Sequence, residues 1–99
     1  MFSVEGHCGF CLQGEVGFQR CSDGLTIVLM CDECDAVWLD PAHREPAHAL
    51  IPAIATFELP GTPYSIGGGA AGWATLAEIE KAGWQAYVYG EQRESVRRW

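Results

Sequence analysis

The chain has 99 residues, 48% of them hydrophobic, and sets six Lys and Arg against thirteen Asp and Glu for a formal net charge of −7. That length allows one domain, or two small lobes around one core, and the apolar content excludes wholesale disorder. The negative sign argues against a surface that tracks phosphates, because such surfaces need a basic stripe to displace counterions.

The charge is uneven. Residues 1–45 hold eight of the acids against Arg20 and Arg44, a balance of −6, and residues 46–99 contribute −1. The start, MFSVEGHCGF, has no basic n-region and no long apolar run, so no signal peptide is expected. No stretch approaches the roughly 18–20 apolar residues of a membrane span. These features lead to the expectation of a cytoplasmic protein without membrane contact, whose thiols stay reduced. Five cysteines also fit a disulfide framework poorly, being an odd number.

The first motif is HCGFC, with Cys8 and Cys11, and its spacing returns in CDEC, with Cys31 and Cys34. The whole reads C-x2-C-x19-C-x2-C, within the range of four-cysteine zinc sites. A two-residue gap lets one tight turn, a knuckle, aim two sulfurs at one ion, and two knuckles complete a tetrahedron with no open position. One structural Zn2+ on Cys8, Cys11, Cys31 and Cys34 is therefore the expected cofactor. Between the pairs, EVGFQRC (15–21) and LTIVLMC (25–31) are rich in β-branched and aromatic residues. SDG (22–24) separates them, and Asp-Gly is a strong hairpin signal. AVWLDP (36–41) offers a third strand, stopped by Pro41.

Two knuckles bridged by a β-hairpin with a third strand resemble the zinc-ribbon superfamily over roughly residues 5–41. Such ribbons commonly follow each knuckle with Gly, whereas Leu12 and Asp35 stand here. The resemblance implies a structural metal and transmits no function, because the superfamily is broad. A redox pair or thiol switch is an alternative use of the cysteines, but thioredoxin-like pairs sit in a βαβ context that neither pair has. Iron in place of zinc stays open. Cys21 reads as a small buried hydrophobe. His7 adjoins Cys8 and could stand in for it as a ligand, though the paired spacing favours Cys8. His43 and His48 could join Cys31 and Cys34, but the gap is short and Pro46 lies between the histidines. They read as solvated loop residues, with a second metal there as the sharper alternative.

After Pro41 the texture changes. HALIPAIATFELPG is apolar and punctuated by proline, and GTPYS reads as a turn. The glycine-rich SIGGGAAGW around Gly67–Gly69 lacks the Lys and hydroxyl of a Walker loop and the βαβ unit of a dinucleotide fingerprint. Its glycines fit a tight turn or a close backbone approach. ATLAEIEKAGW predicts a helix over about 76–82, with Thr75 and Glu78 as a capping box, Gly83 as the stop, and Leu76 and Ile79 buried. WQAYVYG alternates and predicts a strand over about 84–89. The segment GWATLAEIEKAGW resembles a unit of small uncharacterised bacterial proteins and adds no function. Trp38, Trp73 and Trp84 are expected to tie the halves into one core.

The expected fold is a small α+β protein. Its zinc-ribbon-like sheet (1–41) packs on a loop-helix-strand unit (42–99), with a shared core. Neither a G-x-S-x-G elbow nor HExxH is present, and the expected role is non-catalytic. The expectation is a protein-protein interaction module whose acidic residues Asp32, Glu33, Asp35 and Asp40, with Trp99, meet a partner with a basic surface. An immunity protein or inhibitor of a basic toxin is its concrete form. A nucleic-acid-binding or transcription-associated ribbon is the first alternative, disfavoured by charge, since only Arg93, Arg97 and Arg98 cluster. A thiol redox or metal-handling protein is the second.

Overall fold

A computed structural model describes residues 1–91, so the expectations for Trp99 and for Arg93, Arg97 and Arg98 lie outside the described residues. The elements in chain order are β1 (Phe2–His7), β2 (Glu15–Arg20), β3 (Ile27–Cys31), β4 (Val37–Trp38), β5 (Gly72–Trp73), α1 (Leu76–Lys81) and β6 (Gly90–Glu91). Single 3-10 turns add Pro46–His48 and Gln85–Tyr87. Among the described residues these form a mostly antiparallel sheet with one short helix, a small α+β fold.

The β2–β3 hairpin is the centre of the sheet, paired from Val16↔Cys31 to Arg20↔Ile27. Its turn is built by Asp23, whose carboxylate accepts the N–H groups of Leu25 and Thr26 at 2.9 Å and the Thr26 hydroxyl at 2.6 Å. Gly24 takes the φ of +75° that the turn demands. The sheet order is β4-β3-β2-β1-β6, and β5 also pairs with β2. β1 occupies the β2 edge as far as Ser3↔Gly17, and β5 takes over at Gln19↔Trp73.

β3 is apolar on both sides because both faces of the sheet are covered. On one face Val4, Val16, Phe18, Leu29 and Trp38 cluster with Ala74 and Ile79, so this core draws on both halves of the chain. On the other, Cys21, Val28 and Val37 pack with Leu59 and Ile66. Trp38 is buried, and Trp84 packs against the first cluster with its ring 6.4 Å from that of Phe18. The glycine-rich loop covers the hairpin end. Gly69, at φ +51°, lies so close to Ser22 that a Cβ would sit 2.8 Å from its carbonyl oxygen, and the Phe57 ring rests on Gly67.

The helix forms as its sequence dictates. The Thr75 hydroxyl accepts from Glu78 N–H, the Glu78 carboxylate accepts from Thr75 N–H, and Gly83 follows at φ +82°. Ile79 is the buried contact, while Leu76, expected beside it, is exposed. Arg20 ties helix to hairpin, donating to Glu78 Oε1 at 2.8 Å and to the Ala70 carbonyl at 2.6 Å.

The Thr75 N–H, and after it the Arg20 guanidinium, holds the Glu78 carboxyl below its ordinary range. A carboxylate with a depressed folded-state pKa contributes stability above its unfolded value and loses it as pH falls through the folded one. The stability gap between wild type and Glu78→Gln should therefore be full at pH 7 and close below about pH 4. Paired thermal melts across that range check it, and a constant gap would contradict it.

The strand expected over 84–89 does not form. Trp84 N–H returns to the Ile79 carbonyl at 3.1 Å and Tyr87 N–H to Trp84 at 2.9 Å, so the chain closes a helix end and then a 3-10 turn. The free sheet edge lies further on, where Gly90 and Glu91 pair with Ser3 and Phe2. The alternation of Trp84 and Val88 against Gln85 and Tyr87 reflects two residues reaching the first core cluster from a turn, not a strand face. β4 is also shorter than the 36–41 expected. Among the described residues no helix is long and apolar enough to cross a membrane.

Candidate metal centre

The two knuckles sit at the same end of the sheet. The first joins β1 to β2 and the second joins β3 to β4, so the hairpin register sets their separation. A bulge in β1 precedes the first knuckle, with Ser3 opposite Gly17 and His7 opposite Glu15, and Gly6 at φ +87°. Each knuckle is closed by backbone donors on its leading sulfur. Cys8 Sγ accepts from Phe10 N–H at 3.3 Å and Cys11 N–H at 3.4 Å, and Cys31 Sγ accepts from Glu33 N–H at 3.3 Å and Cys34 N–H at 3.4 Å. Gly14 N–H reaches Cys11 Sγ at 3.4 Å. The knuckles are also tied to each other: Asp32 N–H donates to the Glu15 carbonyl at 3.0 Å, and Asp32 Oδ1 accepts Glu15 N–H at 2.9 Å.

The Sγ atoms of Cys8, Cys11, Cys31 and Cys34 all lie within 4.8 Å of one another. Cys8 to Cys34 is 3.8 Å and Cys11 to Cys31 is 3.7 Å. Four sulfurs at about 2.3 Å from a common centre stand about 3.8 Å apart in a tetrahedron. A disulfide would need about 2.05 Å, and all five cysteines are free thiols. The donor set therefore fits a metal ion, which these four residues could hold. Cys8 and Cys31 are buried, and Cys11 and Cys34 are half-buried.

The thiols do not respond alike to this setting. Backbone donors, Gly14 first and Gln13 next, bring Cys11 down to about 7. Burial pushes Cys31 and Cys34 up. Binding a cation must displace the protons they hold, which couples metal uptake to proton release.

Both residues that follow the knuckles adopt the left-handed conformation, Leu12 at φ 65° and Asp35 at φ 64°. Asp tolerates this region and Leu does so reluctantly. Leu12 is 77% exposed, so its side chain returns little burial for the strain. Leu12→Gly should raise stability by about 0.5–1 kcal/mol with metal content unchanged. Denaturant midpoints with metal analysis check this, and a lower midpoint would refute it.

His7 is not in the cluster. Its Nε2 lies 3.8 Å from Glu15 Oε1 in solvent. The His43 and His48 rings are 5.9 Å apart and exposed, and among the described residues neither joins a group of three or more metal-ligating side chains. Cys21 is fully buried in the second core, away from the four ligands. Of the acidic residues singled out, Glu33, Asp35 and Asp40 are exposed, whereas Asp32 is engaged in bracing the knuckles. Gly14 is the site residue that spacing alone does not reveal. A Cβ there would collide with Cys31 Sγ and come within 2.9 Å of Asp32 Oδ1. The signal for it is faint: a glycine three residues past the second cysteine of a pair.

This is a small α+β protein whose four clustered cysteines are compatible with a zinc-ribbon-like site. Comparison of the chain with models of protein families, with curated proteins and with solved structures returns no match.

Proposed function

We propose that the chain is a non-catalytic protein-protein interaction module, pinned by one structural Zn2+ on Cys8, Cys11, Cys31 and Cys34. The observation that carries this reading is the pair of sulfur separations, 3.7 and 3.8 Å, at the tetrahedral edge for a zinc–thiolate centre. Four thiolates fill the coordination sphere, which supports a structural rather than a hydrolytic role. A reducing compartment, the cytoplasm, suits such a centre. The −6 balance of residues 1–45, with Glu33, Asp35 and Asp40 exposed, supports a partner of basic surface, steered in by charge. The concrete form of this reading is an immunity protein or inhibitor that covers the basic cleft of a toxin acting on nucleic acid.

Elemental analysis of the purified chain tests the metal. One zinc per chain is expected, and iron or a metal-free folded protein would overturn the assignment. Capture from the native host, followed by binding at two salt concentrations, tests the role. A basic partner whose association slows with salt is expected. A partner lacking basic surface, or binding indifferent to salt, would overturn it.

A further inference from the structure

A cleft with a volume of about 780 Å³ opens beside the first knuckle, within the roughly 300–1,000 Å³ common for binding sites. One wall is the end of β1 and the knuckle itself, from Glu5 to Gly9. A second is the connector after β4, around Arg44 and Glu45, and the third is the turn segment with Tyr87 and Tyr89. Buried Trp38 contributes to the floor.

Irregular backbone forms much of this cleft, yet it is pinned. The Trp38 indole Nε1–H donates to the Glu45 carbonyl at 2.9 Å, the Arg44 guanidinium donates to the Glu5 carbonyl at 2.9 Å, and Tyr89 N–H donates to the Ser3 carbonyl at 2.8 Å. β6 covers the outer edge of β1 only opposite Phe2 and Ser3, and the Glu5–His7 stretch borders the cleft instead.

The chemistry of the lining is specific. Tyr87 and Tyr89 are 43% and 70% exposed, far more than aromatic rings kept for a core. Glu5 and Glu45, which line two of the walls, are exposed residues. Arg44 keeps its charge but is held against the wall by its bond to the Glu5 carbonyl, and His7, also in the lining, lies 3.8 Å from Glu15 Oε1. Glu45 Oε1 stands 3.3 Å from the Nε2 of exposed His48, which lies outside the cleft lining. Aromatic faces beside carboxylates attract guanidinium and ammonium groups, and the −6 balance of this half adds to that field.

We propose that this cleft receives an extended, arginine- or lysine-bearing segment of a protein partner, its cation held between the two tyrosine rings and the carboxylates of Glu5 and Glu45. The inference rests on the interaction-module reading and adds where, and by what chemistry, the partner docks. Gly9 of the first knuckle continues the wall made by the end of β1, so a metal centre there would help to hold that wall in place.

The test is calorimetry on the full chain with two capped hexapeptides, one alternating arginine with glycine, the other glutamate with glycine. The arginine peptide should bind and the glutamate peptide should not. Tyr89→Ala and the pair Glu5→Gln with Glu45→Gln should each weaken the arginine peptide by about tenfold or more. These side chains are exposed, so the variants should fold, which circular dichroism confirms. Glu58→Gln with Glu80→Gln, exposed acids outside the cleft, should change affinity by less than about twofold. No binding by wild type, or equal binding of both peptides, overturns the proposal. Loss confined to Glu33→Gln with Asp35→Asn, while Tyr89→Ala and the Glu5 and Glu45 pair bind as wild type, also overturns it, moving docking to the knuckle face while the interaction-module reading stands. Tighter binding by full-length Arg93→Ala, Arg97→Ala, Arg98→Ala would make the chain's own cations the occupant and overturn it as well.

Discussion

Cys31→Ser is expected to lose the metal and most of the fold, while Cys21→Ser keeps both. Cys31 is fully buried and accepts two backbone N–H groups as the leading sulfur of its knuckle. A serine oxygen at that position is a poorer ligand than a thiolate and leaves a three-sulfur site. Metal binding in small cysteine sites contributes about 10–16 kcal/mol at neutral pH, whereas a whole domain is stable by only about 5–15 kcal/mol. Losing the ion should therefore unfold at least the knuckles and the strands they join. Cys21 is equally buried, but its thiol lies in the second core. Burial, and after it the charge of Asp23, pushes that thiol up to about 11, so it stays protonated and unreactive at neutral pH. Cys21→Ser should cost about 1–3 kcal/mol for a buried hydroxyl with a full metal complement. Metal content and chemical denaturation of the two variants decide the matter. Equal metal loss would mean that the ligands are misassigned.

Gly14→Ala should weaken metal binding by about fivefold to a hundredfold although all four thiols remain. Its Cβ would overlap Cys31 Sγ and crowd Asp32 Oδ1 and Glu33 Cγ, so one knuckle must move away from the other. Such overpacking costs about 1–3 kcal/mol, and here it falls on ligand geometry. Gly9→Ala is the control. A Cβ there would meet only Pro46, at an ordinary 3.6 Å, and the change should stay within about 0.5 kcal/mol. Competition with a chromogenic chelator measures both affinities. Indistinguishable variants would show that the close approach at Gly14 does not matter to the site.

The parts of this structure legible in the sequence are those fixed by neighbours along the chain. The cysteine pairs announce their knuckles because two residues span one turn. The Asp23-Gly24 turn announces the hairpin, and Thr75 with Glu78 announces the helix start, each through contacts within three residues. What the sequence conceals depends on distant partners. β1 contains Glu5 and Gly6 and gives no clean alternation, and it is a strand because β2 and β6 lie on either side. β5 and β6 are two residues each and exist only by pairing. The apparent strand at 84–89 failed for a local reason, since Trp84, Tyr87 and Val88 give their N–H groups to a helix end and a 3-10 turn instead of a neighbouring strand. The collision at Gly14 involves Cys31, seventeen positions away, and is invisible until the register is known.

All four clustered cysteines fall within the first 34 residues, whereas Ala74 and Ile79 complete the main core. During synthesis the clasp at the open end of the hairpin can close while the second half of the nascent chain is still unmade. Translation proceeds at about 5–20 residues per second, so this half must wait seconds for the residues that cover its apolar face. An ion taken up at that stage, as the proposed function requires, would brace the knuckles before the residues that cover the core exist.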